Sequence, residues 1–162
     1  MSLTCEPTSG GKHEMVIAED DLAREAHKSL FHFNDENYLS GDNGNIFSIL
    51  ENIIKKGALK VHLVGSWSWI LRFATGSLQL KRGEVFYILK SCGLTEDELK
   101  PFRDSDIEDI FHFLYYGRRF EVLRKLCHKT KSRTEKSINH EGVRVYCHIV
   151  SAISKQIVAS SL

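Results

Sequence analysis

Two Cys-His dipeptides, Cys127-His128 and Cys147-His148, stand in the second half of the chain with His140 between them. Thiolate and imidazole are ligands that zinc favours, so metal binding is the first chemistry to weigh. Structural zinc sites draw their ligands in close pairs, C-x₂₋₄-C or H-x₃₋₅-H, because a short loop then sets the tetrahedron. Adjacent residues on a helix or strand point in different directions, which makes a Cys-His dipeptide a poor chelate. The expectation is buried thiols, exposed imidazoles and no metal. Nucleophilic and phosphate chemistry have no better footing. No serine sits in a G-x-S-x-G elbow, and Gly10-Gly11-Lys12 lacks the spacing of a phosphate-binding loop. His27, His32, His62 and His112 fall within amphipathic segments and read as boundary residues rather than bases. The chain is expected to be no enzyme, to carry no cofactor and to take no small-molecule substrate.

Charge carries more information. The net charge is only +1, yet residues 1–42 hold nine acids against three bases, and residues 95–109 hold seven against two. Residues 118–136 reverse the sign, with Arg118, Arg119, Arg124, Lys125, Lys129, Lys131, Arg133 and Lys136 against Glu121 and Glu135. Such a segment suits an acidic protein surface, a second copy of the chain, RNA phosphates or anionic lipid heads. Pairing with the chain's own acids at Glu96–Asp109 would instead neutralise it. Tyr115 and Tyr116, and the pair Trp67 and Trp69, would add amphipathic contact area where exposed, although the tryptophans suit a core better. A helix–turn–helix across Val85–Leu99 is opposed by Glu96-Asp97-Glu98, which would repel phosphates where the second helix enters the groove.

The positioning elements follow from caps and periodicity. Residues 1–17 lack periodicity and are expected to be disordered, with residues 18–162 forming a single domain. Helical spacing of Leu22, Ala26, Leu30 and Phe33 predicts a helix over 19–33, and Asn34–Asn45 reads as a loop. Asn45 caps a second helix that runs to Lys56 and stops at Gly57. Leu59, Val61 and Leu63 alternate with Lys60 and His62, as in a half-buried strand. Beyond it, Trp67, Ile70, Leu71 and Ala74 fit a helix begun by Ser66, but a meander fits the same residues. The meander is preferred, giving a small antiparallel sheet over 58–90. Thr95 with Glu98, and Ser105 with Glu108, are capping-box signatures. Ser132–Glu141 reads as exposed and polar, Gly142–Cys147 as a strand, and Ile149, Ile153 and Ile157 as one helix face. The fold class is α+β, mostly helical, with an all-α bundle as the alternative. Cys5, Cys92, Cys127 and Cys147 are expected to be reduced thiols. The polar N-terminus is unlike a signal peptide, which points to an intracellular, cytoplasmic setting with the nucleus open.

Arg118–Leu126, following Ile110–Leu114, resembles the late helices of a death effector domain. Those helices carry an Arg-x-Asp-Leu signature, for which Arg119, Glu121 and Val122 are the counterparts, with Glu in place of Asp and Val in place of Leu. Val85–Leu94 is similar to an earlier helix of that fold. The resemblance implies homotypic assembly between oppositely charged faces, while Ser66–Leu80 departs from such an all-helical bundle. Compactness, few prolines and a basic patch also resemble a small accessory or matrix-type protein of an RNA virus. The leading expectation is a non-enzymatic interaction or assembly module in which Arg118, Arg119, Arg124 and Lys125 dock an acidic surface, a second copy included. The alternative is binding of RNA or anionic membrane by residues 118–136.

Overall fold

The computed structural model describes residues 13–41 and 45–162. Among them a five-stranded sheet is built from β1 (Glu14–Ala18), β2 (Tyr38–Ser40), β3 (Lys60–Gly65), β4 (Arg144–Ser151) and β5 (Gln156–Ser160). Its order is β2-β1-β3-β4-β5; the first four strands run parallel, and β5 is antiparallel to β4. The chain is thus mixed α/β. The small antiparallel sheet expected over 58–90 does not form, and neither does an all-α bundle. Residues 14–17, placed by their lack of periodicity in an unstructured start, belong to β1, a strand paired on both sides. The remainder of that expected start, residues 1–12, lies outside the described residues. A five-residue strand buried between neighbours shows no usable period, which is why it escaped sequence reading.

Two helices settle how the sheet is covered. Helix α1 (Asp21–Phe31) begins at Asp20, whose carboxylate accepts from Ala23 N at 2.9 Å. It links β1 to β2. Helix α2 (Ile46–Lys55) begins at Asn45, as expected, and links β2 back across β1 to β3. Right-handed crossovers taken in opposite directions put α1 and α2 on opposite faces. The β3–β4 connection continues on the α2 side with α3 (Trp67–Thr75), α4 (Arg82–Ser91), α5 (Glu96–Leu99), α6 (Ile107–Tyr116) and α7 (Phe120–Ile138). There Ile17, Leu63, Val145 and Cys147 share one core with Trp67, Ile70, Leu123 and Leu126. On the α1 side a smaller cluster joins Val16, Ala18, Val64 and Val150 to Ala23 and Ala26.

The region read as a meander is helical for a local reason. Ser66 caps α3 by accepting from Trp69 N, and Gly76 closes it at φ 74°. Trp67, Trp69, Ile70, Leu71, Phe73 and Ala74 are all buried, so α3 is apolar nearly all round and shows neither period cleanly. Farther on, Thr95 and Glu98 form their capping box, but α6 is capped by Asp106 rather than Ser105, whose hydroxyl donates to Pro101 O. Helix α7 runs through most of the stretch read as polar and exposed. Ile149 belongs to β4 and Ile157 to β5, so the helix expected there is a hairpin.

Trp69 fixes the backbone around it. A Cβ on Gly65 would lie 2.4 Å from the Trp69 ring, and one on Gly41 would lie 2.7 Å from it. Gly65→Ala is therefore expected to destabilise the chain by about 1–3 kcal/mol through overpacking. A urea midpoint equal to that of the unaltered protein would show that the ring yields freely. Cys92, Cys127 and Cys147 are buried and unpaired, and burial pushes the Cys127 thiol up to about 12. Cys5 lies outside the described residues. Among those residues no helix is long and apolar enough to cross a membrane.

Candidate functional site

Two arrangements carry chemistry, one on the surface and one beneath α1. The surface one grows from the basic segment. On α7, Lys125, Lys129, Arg133 and Lys136 recur at helical spacing and are all exposed. Arg124 is exposed as well, and Arg118 is exposed at φ 56° in the turn between α6 and α7. These six make no ion pair among the described residues. The remaining two of the expected set are held inside the chain. Arg119 donates to Glu98 at 2.6 Å and to Glu121 at 2.7 Å. Lys131 pairs with Glu135, donates to Val145 O at 3.1 Å and lies 4.7 Å from the centre of the Tyr146 ring.

Between α4 and α7 the surface sinks into a groove of about 490 Å³ lined by Ala74, Tyr87, Ile88, Lys129, Arg133 and Lys136. Tyr87 is 75% exposed at its rim. Sequence reading passed over this ring, because Tyr87 is the outward residue of a helix whose existence was in doubt. Tyr116 is exposed and Tyr115 is half-buried in a ring cluster with Phe111 and Phe120. Trp67 and Trp69, counted among the contact residues, are each only 1% exposed and have no surface to offer. Their place under the sheet is the physical reason.

The acids divide in the same way as the bases. Glu96, Asp97 and Glu98 pair with Lys90, Lys100 and Arg119 within the chain. Asp104, Asp106 and Asp109 are exposed and form no ion pair among the described residues. Beside them Glu108 is half-buried, and burial first, then Asp106, Glu19 and Asp109, push its carboxyl above the usual range.

The second arrangement lies where α1 crosses the sheet. His62 on β3 and His148 on β4 point to the α1 side, and His27 reaches them from α1. All three are buried. His27 Nε2 is 3.1 Å from His62 Nδ1, and His148 Nε2 is 3.0 Å from the same His62 nitrogen. Each far nitrogen has an oxygen partner. His27 Nδ1 meets Tyr38 Oη at 2.6 Å, His62 Nε2 meets the Glu14 carboxylate at 3.0 Å, and His148 Nδ1 meets Ser160 Oγ at 3.0 Å. Phe31 stacks on His27 at 4.4 Å, and Phe33 packs edge-on to His62 at 5.5 Å. His32, in the left-handed region at φ 52°, ends α1 between these two rings.

Burial in this apolar shell lowers all three imidazoles. His27 falls to about 3, by burial and then by His62. His148 falls well below its ordinary value, by burial and then by its two neighbours. His62 is lowered by burial, against an opposing pull from Glu14. The three rings are neutral at pH 7, each offering a lone pair. Sequence reading missed this cluster. His148 was taken as the exposed half of a Cys-His dipeptide, yet strand alternation sends Cys147 to the main core and His148 to the α1 side. His62 was taken as the solvent side of an alternating strand, but α1 covers that side. His128 and His140 are exposed. Comparisons with protein-family models, with curated proteins and with solved structures gave no match to this chain.

Proposed function

We propose that the chain is a non-enzymatic interaction and assembly module that docks an acidic protein surface on the face made by α4 and α7. The observation that carries this reading is the set of six exposed cations that make no ion pair among the described residues, Arg118, Arg124, Lys125, Lys129, Arg133 and Lys136, beside the exposed Tyr87 ring. Like charges at helical spacing raise the local potential and steer an oppositely charged surface toward the groove. An aromatic ring beside an arginine, as Tyr87 is beside Arg133, is a pairing that interface centres favour. The chain supplies its own complement in Asp104, Asp106 and Asp109, so a head-to-tail contact between two copies is the simplest occupant. RNA or anionic lipid has weaker support. Arg119 and Lys131 are already neutralised by Glu98, Glu121 and Glu135, and the exposed rings of Tyr87 and Tyr116 are not a row of stacking rings.

Sedimentation of the full chain across a salt series tests the proposal. Association is expected at low salt and is lost as salt rises. Lys129→Glu with Arg133→Glu is expected to weaken it about 100-fold or more, and Asp106→Lys with Asp109→Lys to do the same. Mixing the two reversed proteins restores a 1:1 complex, because each retains the face the other lost. A chain that stays monomeric at low salt and high concentration overturns self-assembly. Salt-sensitive binding to single-stranded RNA or anionic vesicles, abolished by Lys129→Glu, would put the alternative in its place.

A further inference from the structure

The cluster of His27, His62 and His148 poses a problem that hydrogen bonds alone do not solve. A neutral imidazole has one N–H donor and one lone pair. The Glu14 carboxylate accepts, so His62 carries its proton on Nε2 and presents a lone pair at Nδ1. Both His27 Nε2 and His148 Nε2 crowd that same nitrogen, at 3.1 Å and 3.0 Å. One in-plane lone pair takes one well-aligned hydrogen bond, so the second neighbour either leaves a buried N–H poorly satisfied, at a cost of about 1–3 kcal/mol, or sets two lone pairs face to face.

We infer that His27 Nε2, His62 Nδ1 and His148 Nε2 bind a single divalent transition-metal ion, with zinc as the best match, which ties α1 to β3 and β4. With the metal in place all three converging nitrogens use lone pairs, and all three protons sit on the far nitrogens, where that of His62 already is. Each far N–H then finds an acceptor already present: Tyr38 Oη, the Glu14 carboxylate and Ser160 Oγ. Such outer partners orient metal-bound imidazoles and raise their basicity. Zinc–nitrogen bonds of about 2.0–2.1 Å in a tetrahedron set the nitrogens about 3.4 Å apart. The ligand atoms here lie within 4.8 Å of one another, so small ring rotations complete the triangle. Nitrogen ligands alone suit zinc better than calcium or magnesium, which take oxygen. Three protein ligands leave a fourth position for solvent or a small anion. This inference stands apart from the docking face and does not depend on it.

The test uses the full chain, stripped with a chelator and shown by circular dichroism to be folded. Zinc is expected to rebind at one ion per chain, and cobalt to give the visible bands of a tetrahedral nitrogen site. His62→Ala is expected to abolish both, while His128→Ala and His140→Ala leave both unchanged. Glu14→Gln keeps the three ligands and is expected to weaken zinc binding about 10–100-fold, which gives a readout if His62→Ala fails to fold. A folded wild-type chain that takes up neither ion at one equivalent overturns the inference. So does stoichiometric metal that survives His62→Ala or is lost with His128→Ala.

Discussion

Adding excess zinc to the chelator-stripped chain is expected to raise its thermal midpoint by about 8–16 °C. The sign follows from linkage, since a ligand that binds only the folded state stabilises it. His27 and His62 lie 35 residues apart, and His62 and His148 lie 86 apart, so the unfolded chain has no comparable site. Zinc at a thousand times its dissociation constant contributes about 4.1 kcal/mol. A domain of this size shifts by about 2–4 °C per kcal/mol, which gives the stated range. Scanning calorimetry with and without zinc reads the effect. His148→Ala is expected to remove the zinc response, and the α4–α7 charge reversals to leave it intact. A midpoint indifferent to zinc at every concentration would sink the metal clamp and leave the docking proposal untouched.

Trp67→Ala is expected to cost about 3–5 kcal/mol, the second large effect. The ring is 1% exposed, lies against Phe111 and donates from Nε1 to Ile107 O at 3.2 Å. It thereby joins α3 to the start of α6, the helix that displays Asp106 and Asp109. A domain has only about 5–15 kcal/mol to lose, so the variant should sit near the edge of folding. Trp67→Phe retains most of the apolar volume but loses the Nε1–H bond to an Ile107 carbonyl that keeps its helical partner, and should cost about 0.5–1.5 kcal/mol. Urea midpoints measure both. A loss below about 1 kcal/mol for Trp67→Ala would show that the cavity collapses without strain. Since Trp67 lies on the face of the sheet away from the histidines, Trp67→Phe should leave zinc binding unchanged. It should loosen the acidic face proposed for self-association.

Much of the helical half was legible in the sequence. Asn45 and the Thr95–Glu98 pair announced their helix starts, because a cap is settled by residues three positions apart. The basic segment was legible as a run of charge but not as one helical stripe, because its second half reads as a polar, exposed stretch; the thiols of Cys92, Cys127 and Cys147 were legible by their apolar neighbours. What failed was whatever depends on burial on both sides. Helix α3, apolar nearly all round, and β1, a short inner strand, show no contrast between an inner and an outer face. The break at Ser105 was an ambiguity of one residue, since Asp106 is an equally good cap.

By itself, then, the sequence determined the capped starts at Asn45 and Thr95, the basic segment and the unpaired thiols of Cys92, Cys127 and Cys147, since each is a matter of neighbours along the chain. Only the tertiary structure decided that the sheet is mostly parallel, that Tyr87 rims a groove and that three histidines meet. Parallel pairing needs a crossover that no short window contains. The Glu14–His62 contact spans 48 residues and the His62–His148 contact 86. Strand alternation then separated Cys147 from His148 onto opposite faces, a separation that depends on which side α1 covers. The candidate metal site is therefore a property of convergence, set by the crossings of α1, β3 and β4 rather than by any spacing between its ligands.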